Sequence, residues 1–130
     1  MPKKPKKKPS PKASALSFLR LIIAGKIRQA YDRYASPKLR HHNPFSPGDR
    51  ESIIRGMEEA DSQFPGKIFK VQLTVAEGGL VAVHSHLILK SGELELATVH
   101  ILRFKGGKIV EFWDIAQAIP KDSPNENTMF

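Results

Sequence analysis

Between residues 67 and 120 the chain repeats one pattern four times: a run of about ten residues rich in β-branched and aromatic side chains, then a short turn containing glycine. The runs are KIFKVQLTVAE, LVAVHSHLILK, LELATVHILRFK and KIVEFWDIAQAIP, broken by GG, SGE and GG. Runs joined by turns this short pair with their neighbours as antiparallel hairpins, which predicts a four-stranded meander. Strands of that length twist and should curl around a helix to seal a core. The helices come first. In SALSFLRLIIAGKIRQAYDRYAS, Leu16, Leu19 and Ile23, then Ile27, Ala30, Tyr31 and Tyr34, recur at helical spacing, with Gly25 as a break between two helices and Pro37 as the end of the second. RHHNPFSPG reads as loop. Ser46, Pro47 and Asp49 offer a third helix start, Ile53, Met57, Ala60 and Phe64 its apolar face, and Pro65-Gly66 its stop. Helices followed by a four-stranded antiparallel sheet make an α+β domain over residues 13–130.

A chain of 130 residues is long enough for one core and one small-molecule cavity. No apolar run approaches the roughly 20 residues that span a bilayer, and no continuous apolar region follows the N-terminal charges, so a soluble cytoplasmic protein without membrane contact is expected. The absence of cysteine excludes disulfides, thiolate chemistry and cysteine-built zinc sites. The net charge of +8 is local: MPKKPKKKPSPK holds six lysines and no acid, and without it the remainder carries +2. Its four prolines argue against helix or strand, so residues 1–12 are expected to form a disordered basic tail, suited at most to weak contact with polyanions.

Chemistry concentrates in the strands. Strand period puts His84 and His86 on one face of their run, and the following runs carry His100 and Asp114. A three-residue turn at Lys105-Gly106-Gly107 pairs His100 with Phe112 and makes Asp114 its diagonal neighbour; a two-residue Gly-Gly turn puts His100 and Asp114 on opposite faces. On a shared face they form either an acid/base pair, with burial raising the carboxyl pKa, or a structural hydrogen bond in a wet core. His84, His86, His100 and Asp114 also include good zinc or iron ligands, although nothing in the sequence requires a metal. His41 and His42, in a loop, read more readily as solvated than as functional. Phe112 and Trp113 alternate across the last strand, so one of them faces what Asp114 faces.

HHNPFSPG, AEGGLVAVHSH, ATVHILRFKGGKIVEFWDIAQAIP and the final NENTMF, in that order, resemble the SnoaL-like proteins of the nuclear transport factor 2-like superfamily. The resemblance covers about Ala13 to Phe130. It implies a cone-shaped α+β roll in which helices and a curved sheet enclose a pocket, with dimerisation through the outer face of the sheet. It also implies intramolecular aldol chemistry on polyketide-like carbonyl compounds without metal or cofactor, with Asp114 as general acid/base and His100 assisting, and it favours the register that brings these two together. By the same resemblance His42 and Asn43 belong to the pocket rim, and His84, Trp113 and Gln117 to family motifs. His84 and His86 are then expected on the concave face, His84 as a catalytic residue with Asp114 and His100, where either imidazole polarises the carbonyl oxygen or returns the proton, and His86 with Trp113 and Gln117 in substrate contact. Two departures stand out: relatives usually read Val-Asp-Ile where this chain has Val99-His100-Ile101, and His-Trp-Asp where it has Phe112-Trp113-Asp114. The first argues against a two-carboxylate mechanism.

The leading expectation is a cofactor-independent acid/base enzyme acting on a small apolar carbonyl compound, of cyclase or isomerase type, working as a homodimer. The alternatives are a non-catalytic binder of hydrophobic ligands and an interaction module recruited through the basic tail.

Overall fold

The structure is a computed structural model and describes residues 7–130. Helix α1 spans Pro11–Ile23 and α2 spans Ile27–Tyr34; strand β1 (Ala35–His41) and helix α3 (Arg50–Gln63) follow, then β2 (Ile68–Glu77), β3 (Leu80–Lys90), β4 (Leu94–Lys105) and β5 (Lys108–Ala118). The ordered domain starts before the expected boundary. The Ser10 hydroxyl caps α1 by accepting from the Ala13 N–H at 3.1 Å, and Pro11 occupies the first turn, where a missing N–H is harmless. Pro11 and Lys12 therefore leave the predicted tail, and the disorder expected of residues 1–6 lies outside the described residues. Helix α3 is capped by Asp49, whose carboxylate accepts from the Ser52 N–H at 3.0 Å, and not by Ser46.

The sheet has five strands rather than four, in the order β1-β5-β4-β3-β2, and it is mixed: β1 runs parallel to β5 and the other pairs are antiparallel. The extra strand follows directly on α2 and contains Pro37. An edge strand tolerates proline because one side of it has no ladder partner.

Bulges on either side of β4 set which of its neighbours' side chains share its concave face. At the tip of the β4–β5 hairpin, Gly106 and Gly107 both adopt positive φ (60° and 78°), the geometry of a two-residue turn, and Lys105 pairs with Lys108. Val110 is then an extra residue. Beyond it Arg103 pairs with Glu111 and His100 directly with Asp114, a register neither turn alone predicts. Leu89 plays the same part in the β3–β4 hairpin: Lys90 pairs with Leu94, but past the bulge Val83 faces His100 and His84 faces Val99.

The concave face is therefore Val81, Val83 and Ser85 of β3, Thr98, His100 and Leu102 of β4, and Ile109, Phe112 and Asp114 of β5, nearly all buried beneath the helices. Phe18 of α1 meets Tyr31, Tyr34 and Phe112 edge-on at 5.0, 6.5 and 6.0 Å between ring centres and ties the two helices to the sheet. The outer face carries Leu73, Val75 and Ile115, which are 63%, 65% and 51% exposed. The chain's last residue docks there too: Phe130 stacks on His84 at 5.5 Å and on His86 at 4.5 Å. Among the described residues no helix is long and apolar enough to cross a membrane.

Candidate active site

Between the concave face and helices α1 and α3 lies a cavity of about 800 Å³, within the range that holds a small organic molecule. Leu19, Ile22 and Met57 line its helical wall and Phe69, Leu87 and Leu96 its sheet wall, while His100 and Asp114 supply polar groups at one end. The His100 ring lies parallel to Phe112 (1° between planes, 5.6 Å) with Phe69 at its edge (6.2 Å). This sandwich leaves the imidazole little freedom, and its Nε2 stands 3.1 Å from Asp114 Oδ1.

The other carboxylate oxygen is held from the loop between β1 and α3. Asn43 Nδ2 donates to Asp114 Oδ2 at 2.8 Å, and Asn43 Oδ1 accepts from the Phe45 N–H at 2.8 Å, which fixes the orientation of the amide. The loop is itself anchored by His41. That ring is buried, its Nδ1 accepts from the Asn43 N–H at 3.1 Å, and its Nε2, which must then carry the proton, donates to the Pro47 carbonyl at 2.5 Å. His41 thus ends β1 as a buried clamp and not as the solvated loop residue that its neighbourhood suggested.

Burial alone pushes the Asp114 carboxyl up, as the apolar surroundings predict. The hydrogen bond and charge of His100, the Asn43 amide and the nearby His41 outweigh it, so the pKa falls below the ordinary carboxylate value and not above it. A carboxylate whose folded pKa is depressed stabilises the native state above its unfolded pKa and loses that contribution as pH falls through the folded value. The stability advantage of wild type over Asp114→Asn, read from urea unfolding, is therefore expected to hold from neutral pH to about 4 and to shrink below it. An advantage that grew on acidification would contradict this assignment. Burial, reinforced by the negative charge of Asp114, raises the pKa of Tyr31, whose neutral hydroxyl donates to Met57 Sδ at 3.2 Å.

The sequence-predicted residues divide between the two faces. Asp114 and His100 come together on the concave side, with Asn43 over them and His42 at the cavity mouth. His42 is held outward, stacked on Trp113 at 4.9 Å and bonded to Glu111 at 2.7 Å. With His42 first and then Arg40 bonded to it, the Glu111 carboxyl is held down to about 2. His84, His86, Trp113 and Gln117 do not reach the cavity. Their registers put them on the outer face, where Phe130 covers both histidines and Glu95 bonds His86 at 2.7 Å. The expectation that His84 and His86 meet His100 and Asp114 is corrected by the Leu89 bulge, and the four cannot ligate one ion from opposite sides of a sheet. Among the described residues there is no cluster of three or more metal-ligating His, Asp or Glu side chains. Sequence reasoning passed over Lys67, whose largely buried side chain lines the cavity and pairs with Asp61.

The signature of the SnoaL-like domain family matches residues 15–112. No curated protein matches in sequence. Among solved structures, wild-type IdmH of Streptomyces antibioticus, described as a candidate polyketide cyclase, superposes with a TM-score of 0.70 at 21% identity over 84% of this chain and 93% of that one. A candidate polyketide cyclase of Acidithiobacillus ferrooxidans gives 0.69 at 18% identity over 86% and 92%. AclR of Streptomyces galilaeus, described as a candidate hydroxylase, gives 0.63 at 22% identity over 82% and 90%. At such identities these likenesses establish the fold.

Proposed function

This chain belongs to the SnoaL-like domain family, and we propose that it is a cofactor-independent acid/base enzyme that removes a proton from the carbon beside a carbonyl group of a small, largely apolar, polyketide-like substrate. One observation carries the reading: an ionised carboxylate, Asp114, stands in a largely apolar cavity and is held by two side-chain donors, His100 and Asn43. In the proposed step the C–H bond breaks, the proton goes to a free lone pair of Asp114, and the electron pair moves onto the carbonyl oxygen. The enolate oxygen is stabilised by the second N–H of Asn43. In an aldol closure the enolate carbon then attacks a second carbonyl of the same molecule and Asp114 returns the proton. A bound ligand takes water away from Asp114 and strengthens the effect of burial, which makes the carboxylate a better base.

The test is deuterium uptake at the α-carbon of a panel of aryl ketones and 1,3-dicarbonyl compounds in heavy water. Saturable uptake above buffer supports the reading; none across the panel counts against it. A second reading, a non-catalytic ligand binder, draws support from the same geometry, because both Asp114 oxygens already accept hydrogen bonds, as in a structural polar cluster.

The exposed apolar residues of the outer face support a homodimer formed through the sheet. Sedimentation velocity is expected to show a dimer for wild type and a monomer for Val75→Glu combined with Leu73→Glu. A wild type that sediments as a monomer at every concentration would end that proposal.

A further inference from the structure

Lys67 lies between α3 and β2, just past the Pro65-Gly66 turn, and its side chain is 6% exposed. Lys67 lines the same cavity as Asp114, and its ammonium donates to Asp61 Oδ1. The other Asp61 oxygen abuts the turn between α1 and α2: a Cβ built on Gly25 would stand 3.1 Å from Oδ2. The anionic half of the pair is thus lodged against the helices, while the cationic half belongs to a residue of the cavity wall. An ammonium has three donors, and Asp61 takes one. A buried donor without an acceptor is costly, so the arrangement favours a ligand that brings one.

Position in the sheet gives the span. Asp114 is in line with His100, Val83 and Thr74, whereas Lys67 precedes Ile68, which is in line with Ile88 and Glu95, so the two lie three strand spacings apart across the sheet and about six residues apart along it, roughly 24 Å between backbones on a flat sheet and less on a curved one. A ligand that reaches both polar groups is therefore longer than a single ring. Resting on the carbonyl-site reading above, we infer that Lys67 forms a second polar subsite, where its ammonium binds an acceptor oxygen of the ligand. The preferred ligands are then fused-ring ketones with a second oxygen function remote from the reacting carbonyl.

Equilibrium binding of 6-acetyl-2-naphthol and of 2-acetylnaphthalene to the full chain tests this, since the two differ only in the remote oxygen. Wild type is expected to bind the naphthol about tenfold more tightly, the size of one charge-assisted hydrogen bond. Lys67→Met is expected to bring the ratio near one while leaving 2-acetylnaphthalene unaffected. Should stranding Asp61 impair folding, Lys67→Met with Asp61→Leu removes the pair together and is expected to give the same ratio. Equal binding of both compounds by wild type, a preference that survives both variants, or an equal loss for both compounds overturns the role of Lys67. If wild type binds neither compound, the reading of the cavity as a ketone site falls and takes this inference with it. A preference for the naphthol without any α-carbon exchange leaves the subsite standing and removes only the catalytic reading.

Discussion

Phe112→Ala is expected to lower the unfolding free energy by about 3–5 kcal/mol, a large share of the roughly 5–15 kcal/mol that holds a domain of this size together. The ring is fully buried, meets Phe18 edge-on at 6.0 Å and lies parallel to His100 at 5.6 Å, so its removal opens a hole where helix, sheet and site converge. The hole cannot close easily, because Phe18 is also fixed by Tyr31 and Tyr34. Urea unfolding reads the loss directly, and Phe112→Leu should recover most of it by refilling the space. A loss under about 1 kcal/mol for the alanine variant would mean that the core is not centred where Phe112 stands. Where enough of the alanine variant folds to assay, proton transfer should also slow, since His100 has lost the surface that orients it.

Asp114→Asn is expected to lower α-carbon proton exchange by about 10²–10⁴-fold, the usual worth of a positioned general base, while leaving ligand affinity within a few-fold of wild type. Binding should survive because the amide is nearly isosteric and lies at the end of an apolar cavity. The hydrogen bonding must adjust, however. Asn43 Nδ2 and His100 Nε2 both approach Asp114 as donors in the native pair, and an amide offers one acceptor oxygen and one donor nitrogen. The simplest accommodation moves the His100 proton to Nδ1, so that Nε2 accepts from the new amide. His100 Nδ1 is buried and has no partner, so this shift leaves an N–H unsatisfied and should destabilise the variant by about 1–3 kcal/mol. Kinetics and binding are therefore best compared at a temperature where both proteins are fully folded. An Asp114→Asn variant that exchanges protons at the wild-type rate would place the base elsewhere.

Much of this fold was legible because β2 to β5 announce themselves as long Val- and Ile-rich runs punctuated by glycine. Strand β1 was not. Its seven residues, ASPKLRH, contain a proline and two cations and lack a β-branched residue, and they form a strand only because β5 presents an open edge beside them. The site was half legible. Asp114 and His100 stood out by residue type and by family resemblance, but their pairing depends on the Val110 bulge, which no turn residue signals. His84 and His86 show the same difficulty with the opposite outcome. A three-residue turn at Ser91-Gly92-Glu93 would set His84 against His100, and the single extra residue at Leu89 turns both histidines outward. Apolar side chains on both faces of β3 left nothing in its alternation to betray the change. His41 was read as solvated and Lys67 was passed over because each lies in or beside a loop, and burial there depends on distant residues folding over it. Asp114 also reversed an expectation: the apolar cavity does push its carboxyl upward, but the donors supplied by His100 and by Asn43 pull it further down.

The most direct test is deuterium uptake at the α-carbon of 6-acetyl-2-naphthol, followed side by side in wild type, Asp114→Asn and His84→Gln. The concave-face account predicts saturable uptake in wild type, near-complete loss in Asp114→Asn, and little change when the outer-face His84 is replaced. Exchange that survives in Asp114→Asn, or that disappears in His84→Gln, would contradict it.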